Sequence, residues 1–141
     1  MQVAETTIEV RYAETDQMGV VHHSNYVVWF EVGRTQFIKT IGYSYAEMER
    51  EGILAPVTDI QVSYKHPTKY GDIVTVKTWV GSYNGLRVTY QYEVLNQEGI
   101  LCVTGASTHV CVRKDTFRPI SMKKHMPEWH AIYEKVKAQP E

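Results

Sequence analysis

One carboxylate, two adjacent histidines and the start of a strongly apolar segment all fall between Tyr12 and Tyr26. Asp16, Gln17 and Gly19 interrupt the alternating pattern ahead of them, so the chain turns there. Ser24 or Asn25 is placed to cap a helix that runs to about Ile41, with Gly42 as its stop. The first turn of such a helix leaves backbone N–H groups unpaired and carries partial positive charge. An acid one short loop ahead of that helix start therefore brackets a space in which an oxyanion or a carbonyl oxygen can sit. The ordinary alternative for Asp16 is a local Asx-type hydrogen bond within its turn.

Other groups invite chemistry less strongly. His22 and His23 suggest a metal, but neighbouring side chains in a loop usually diverge, and no i,i+4 histidine or nearby cysteine completes a ligand set. His109, Cys111 and Arg113 share one face of an extended segment by period-two counting, so a Cys-His pair is conceivable. With no third orienting group, a satisfied histidine beside an inert thiol is the simpler reading. Lys65, Lys69, Arg113 and Lys114 are available to anionic phosphates, against a background of scattered surface cations. Glu31 and Arg34, three apart on the helix, pair most simply with each other. Tyr26 at the helix start lines a pocket or packs in the core.

The elements that must position these groups follow from periodicity. Residues 6–13 alternate as a half-buried strand, with Ile8, Val10 and Tyr12 on one side. Over 25–41, Tyr26, Trp29, Phe30, Gly33, Phe37 and Ile41 form a helical stripe that Val27, Val28 and Val32 widen. So broad an apolar surface calls for a sheet wrapped around it. Ser44-Tyr-Ala-Glu47 reads as a capping box opening a short helix that ends near Gly52. Strands are expected over 53–66, 72–82, 86–94 and 100–113. Asn84-Gly85 marks a two-residue hairpin turn with both φ angles positive. Pro127 opens a C-terminal helix carrying Trp129, Ile132, Tyr133 and Val136. The four late strands read as an antiparallel meander, which makes the architecture α+β.

Composition sets bounds on function. The 141 residues suffice for one domain with a core that needs no disulfide or metal. Net charge is −1 with scattered basic residues, which gives no nucleic-acid surface. Cys102 and Cys111 lie in strand-like segments as buried reduced thiols. The start of the chain lacks a signal pattern and no run is long enough for a membrane helix, so a cytoplasmic location is expected.

Thr15-Asp16-x-x-Gly19-Val-Val-x-His23-x-x-Tyr26 resembles the signature of hot-dog-fold acyl-CoA thioesterases, in the subgroup of 4-hydroxybenzoyl-CoA thioesterase and its short bacterial relatives. The resemblance is concentrated in the first third, and the element order is compatible with it over nearly the whole chain. It implies a hot-dog fold, an antiparallel sheet around one central helix. It also implies that Asp16 attacks the thioester carbonyl or activates a water, while the backbone N–H of His23 binds the carbonyl oxygen. The division of labour is physically sound: a carboxylate is a competent nucleophile or base for an activated acyl group, and a helix start stabilises an oxyanion. His22 then lines the pocket, and the role of the His23 ring stays open. Gly19 and Tyr26 fall to the substrate site, with Lys65 and Arg113 facing CoA phosphates. No metal or cofactor is implied. Family dimers join sheets edge to edge, tetramers are common, and active sites lie at the subunit interface. The rivals are an acyl-carrier-protein thioesterase, a dehydratase or hydratase on a related fold, and a non-catalytic acyl-CoA binder.

Overall fold

The apolar segment forms helix α1, Asn25–Thr40, in a computed structural model that describes residues 1–139. Its buried side comprises Tyr26, Trp29, Phe30, Gly33, Arg34, Phe37 and Ile38. This face is narrower than expected. Val28 and Val32 stand 52% and 41% exposed, because the sheet covers the helix from one side only. Before α1 comes strand β1, Ala4–Glu9, and after it helix α2, Tyr45–Arg50, where Ser44 Oγ accepts the Glu47 N–H, the N-cap half of the expected capping box. Strands β2 (Ile53–Leu54), β3 (Val57–Tyr64), β4 (Ile73–Tyr83), β5 (Arg87–Leu95), β6 (Leu101–Val110) and β7 (Val112–Arg113) follow. Helices α3 (Met122–His125) and α4 (Pro127–Val136) close the described chain.

Five strands form one antiparallel sheet in the order β1-β4-β5-β6-β3, wrapped against α1. The meander is thus three strands long rather than four. β3 does not pair with its successor β4. The 65–72 connection carries the chain from one edge of the sheet to the other side, and β1 takes the place beside β4. Helix and sheet touch closely at two glycines. A Cβ on Gly105 would lie 2.4 Å from the Phe30 ring and 2.8 Å from the Gln61 carbonyl oxygen, and one on Gly33 2.5 Å from Thr78 Oγ1. Phe30 uses the space to stack on Tyr92, with ring centroids 4.3 Å apart.

Several expected elements are corrected. The strand read over 53–66 breaks at Pro56, which has no N–H for a ladder; its carbonyl instead accepts the Val110 N–H. Opposite it, the strand read over 100–113 breaks at Cys111, and β7 leaves to pair with β2 in a separate two-stranded sheet. At Asn84-Gly85 only the glycine has positive φ, +88°. The connection is three residues long, with Asn84 Oδ1 accepting the N–H groups of Leu86 and Arg87. β1 stops at Glu9, and Tyr12 is an exposed residue of a 3-10 turn, Tyr12–Glu14, rather than a strand residue. α3 had no periodic signal of its own. Among the described residues, no helix is long and apolar enough to cross a membrane.

Candidate active site

Asp16 sits in a pinched loop. Thr15 and Val21 bridge across its base, the Asp16 N–H donates to Val20 O at 2.9 Å, and the Gly19 N–H returns to Asp16 O at 3.0 Å. Gly19 has φ +82°, a conformation that an L side chain strains, so glycine is what lets the loop close. Asp16 Oδ1 accepts the Met18 N–H at 2.8 Å, which is the Asx-type bond its turn position called for. That bond occupies one oxygen. Oδ2 accepts nothing among the described residues.

The loop is anchored by Glu14, a residue that sequence reasoning missed. Its side chain is buried, with Oε1 accepting the Arg11 N–H at 2.9 Å and Oε2 accepting the indole N–H of Trp29 at 2.7 Å. Its carbonyl accepts both the His22 N–H, at 2.8 Å, and the Asn25 side-chain amide, at 2.9 Å. One residue thus joins the turn, the Asp16 loop, and the first two turns of α1. Burial alone would push the Glu14 carboxyl up, but the bonds from Arg11 and Trp29 with the Arg11 charge hold it below its ordinary value. A capping-type glutamate before an apolar helix was the available signal, but its partner Trp29 lies too far along the chain for local pattern to reveal.

Neither expected cap operates on α1. Ser24 has helical φ and ψ, and its hydroxyl lies 2.9 Å from His22 Nδ1. Asn25 spends its side chain on Glu14. The backbone N–H of His23, at the helix start, donates to no group among the described residues. The His23 carbonyl accepts the Tyr64 hydroxyl at 3.2 Å, tying the helix start to the end of β3. Contrary to the divergence expected of neighbours in a loop, the His22 and His23 rings lie together, centroids 4.1 Å apart.

A cleft of about 290 Å³ opens here, walled by Val20, His23, Tyr26, Tyr64, Lys65 and His66 among others. The structure therefore brings together His23, Tyr26, Lys65 and, from the carboxyl-terminal side of the Asp16 loop, Val20 and Val21, while Asp16 and Gly19 themselves are not among the walls. Tyr26 is both core and wall: its ring is buried against Trp29 and its hydroxyl shares a 2.7 Å hydrogen bond with Thr68. Arg113 is elsewhere. It lies on β7, paired with Asp115 at 3.2 Å, in a separate cavity with Gly52, Lys114 and Ile120. Among the described residues, no three histidine, cysteine or carboxylate side chains are placed to hold a metal ion.

The His109–Cys111 pair dissolves because the strand breaks between them. His109 is buried, with Nε2 2.8 Å from Ser107 Oγ and Nδ1 3.2 Å from the Ala55 carbonyl. The carbonyl only accepts, so Nδ1 carries the proton and Ser107 donates to Nε2, with Tyr92 behind it at 2.6 Å. Burial, with the Arg34 charge nearby, pushes His109 down to about 4. Burial likewise pushes the Cys111 thiol up to about 11, which leaves it inert at neutral pH. Arg34 reaches both Glu31, its expected partner, and Tyr45.

The buried histidine has a consequence for pH. Because His109 stays neutral in the fold and takes a proton near pH 6.5 when unfolded, the unfolded state binds more protons between about pH 4 and 6.5. Stability therefore falls as pH drops through that window, by up to roughly 3 kcal/mol at its lower end. Denaturation midpoints at pH 4.5 and pH 7 should differ less in His109→Gln than in the parent; an equal difference would assign the acid sensitivity to other groups.

A family described as the thioesterase-like superfamily matches residues 10–130. YneP of Bacillus subtilis strain 168, provisionally named an acyl-CoA thioesterase, is 51% identical over 137 residues, covering 97% of this chain and 99% of its own. The acyl-CoA thioester hydrolase YbgC of Escherichia coli O157:H7 is 26% identical over 117 residues, 83% of this chain and 87% of its own. Among solved structures, a DHNA-CoA thioesterase from Staphylococcus aureus superposes with a TM-score of 0.93 at 45% identity, covering 99% of this chain and 100% of that one.

Proposed function

This chain belongs to the thioesterase-like superfamily, with its hot-dog fold, and from that premise we propose that it hydrolyses acyl-CoA thioesters to the free carboxylic acid and CoA. The observation that carries the reading is the unspent His23 N–H at the start of α1, one short loop from a carboxylate with a free oxygen. The thioester carbonyl oxygen accepts the His23 N–H, and charge developing on it is stabilised by the helix start. Asp16 then either attacks the carbonyl carbon or takes a proton from a water that does so. By either course one water is consumed, the C–S bond breaks, and the thiolate leaves to be protonated. Gly19 shapes the loop, Tyr26 walls the acyl side of the cleft, and Lys65 faces the CoA phosphates.

The working unit is a homodimer or a homotetramer, in the cytoplasm. β3 is an edge strand that leaves Val57, Ile60 and Tyr64 exposed, which favours pairing with a second copy. Two antiparallel β3 strands would set the β7 end of one copy beside the Tyr64 end of the other, so Arg113 would enter the cleft from the second copy. The two buried free cysteines suit a reducing compartment.

Thiol release from CoA thioesters of short, long and aromatic acids tests the activity. Turnover of at least one class is expected. Binding without thiol release across the panel, and with acyl-carrier-protein thioesters as well, would make the chain a non-catalytic binder.

A further inference from the structure

The end of β3 and the connection that follows it, residues 64–70, carry more binding chemistry than hydrolysis of a thioester requires. Tyr12 and Tyr70 are 77% and 64% exposed, although most aromatic rings of the chain are buried, and they meet edge to face with centroids 5.8 Å apart and planes at 78°. Such a pair forms a corner with open ring faces. It is held beside the catalytic loop by main-chain bonds. Gly71 N–H donates to Val10 O at 3.2 Å, Val10 N–H to Asp72 O at 2.8 Å, and Val21 N–H to Thr68 O at 2.8 Å. Lys65, in the cleft wall, and Lys69 are exposed, and among the described residues neither ammonium makes an ion pair.

We propose that the Tyr12–Tyr70 corner, with Lys69 beside it, seats the nucleotide end of coenzyme A, the adenine stacking on a tyrosine face and the phosphates meeting the lysine. The inference rests on the acyl-CoA reading above. Along the chain from the cleft wall, the stretch presents Tyr64, then Lys65 and Lys69, then Tyr70. That is the order of the thioester end, the phosphates and the base along the coenzyme. Six residues span at most about 20 Å, so the corner lies within reach of an extended pantetheine arm. Purine rings stack on exposed aromatic faces with enough energy to matter, and a lysine ammonium serves phosphate as a point charge.

The test compares one acyl group carried on CoA and on pantetheine, which lacks the nucleotide. Wild type should show the lower KM for acyl-CoA. Tyr70→Ala and the Tyr12→Ala/Tyr70→Ala double variant should raise that KM by roughly 5- to 100-fold, the worth of one stacked base, and leave KM for acyl-pantetheine in place. Lys69→Ala should raise the acyl-CoA KM and flatten its dependence on salt. Equal KM for the two substrates in wild type, or tyrosine variants that shift both or neither, would overturn the nucleotide seat while the hydrolase reading stands. Tyrosine variants that change the sedimentation state without changing the acyl-CoA KM would overturn it in favour of a contact between copies. No turnover of either substrate would overturn both readings.

Discussion

Glu14→Ala is expected to lower stability by about 2–4 kcal/mol and, in the protein that remains folded, to lower kcat by roughly 10²-fold. The stability loss follows from what the carboxylate holds. Its removal leaves the Trp29 indole N–H, 2.7 Å from Oε2, without an acceptor in the core, and releases the Arg11 N–H. Hydrogen bonds to a charged group are worth about 1.5–3 kcal/mol each, part of which water recovers at the Arg11 end. The rate loss follows from a different part of the residue. The Glu14 carbonyl fixes His22 and Asn25 on either side of the His23 N–H, and a displaced side chain lets that carbonyl move. Misplacement of about 1 Å at a reacting centre can cost on the order of 10² in rate. Glu14→Gln keeps an acceptor for Trp29 but turns a second amide donor toward Arg11, so it should fall between the parent and the alanine variant. Melting temperature and kcat, measured on the same preparations, separate the two roles. A lower melting temperature with unchanged kcat and KM would make Glu14 a stabilising residue with no hold on the catalytic loop.

Glu14 also shows where reading a sequence stops. Local pattern reached α1, the Ser44 cap, and the strands β4 and β5, because each is settled by periodicity or by neighbours three or four residues away. It overran Pro56 and Cys111, where the alternation of side chains continues although the chain changes sheets. The missing N–H of Pro56 was visible; its counterpart break at Cys111 depends on a strand that lies opposite only in the fold. The exposure of Val28 and Val32 depended on how far the sheet wraps, and the place of β3 beside β6 on the route of a connection. At the site, Asp16 and His23 stood out through residue type and through the thioesterase resemblance. Their geometry did not, since the Tyr64 hydroxyl reaches the His23 carbonyl, and the Asn25 side chain the Glu14 carbonyl, from parts of the chain that meet only in the fold. Tyr12, read as a strand residue pointing to one face, turned out to stand in solvent beside Tyr70.

Asp16→Asn is the second large expected effect. Asparagine keeps an oxygen for the Met18 N–H, so the turn survives and stability should stay within about 0.5 kcal/mol of the parent. It cannot serve as an anionic nucleophile or as a base, and general-base catalysis by a placed group is worth roughly 10²–10⁴ in rate. The most direct measurement is thiol release at saturating acyl-CoA by the parent and by Asp16→Asn, with CoA affinity measured alongside. The expected result is a fall in kcat of about 10²–10⁴ with CoA affinity and melting temperature unchanged. Equal rates from the two proteins would contradict the assignment, leaving Asp16 as the residue that closes its own turn and the chemistry to another group.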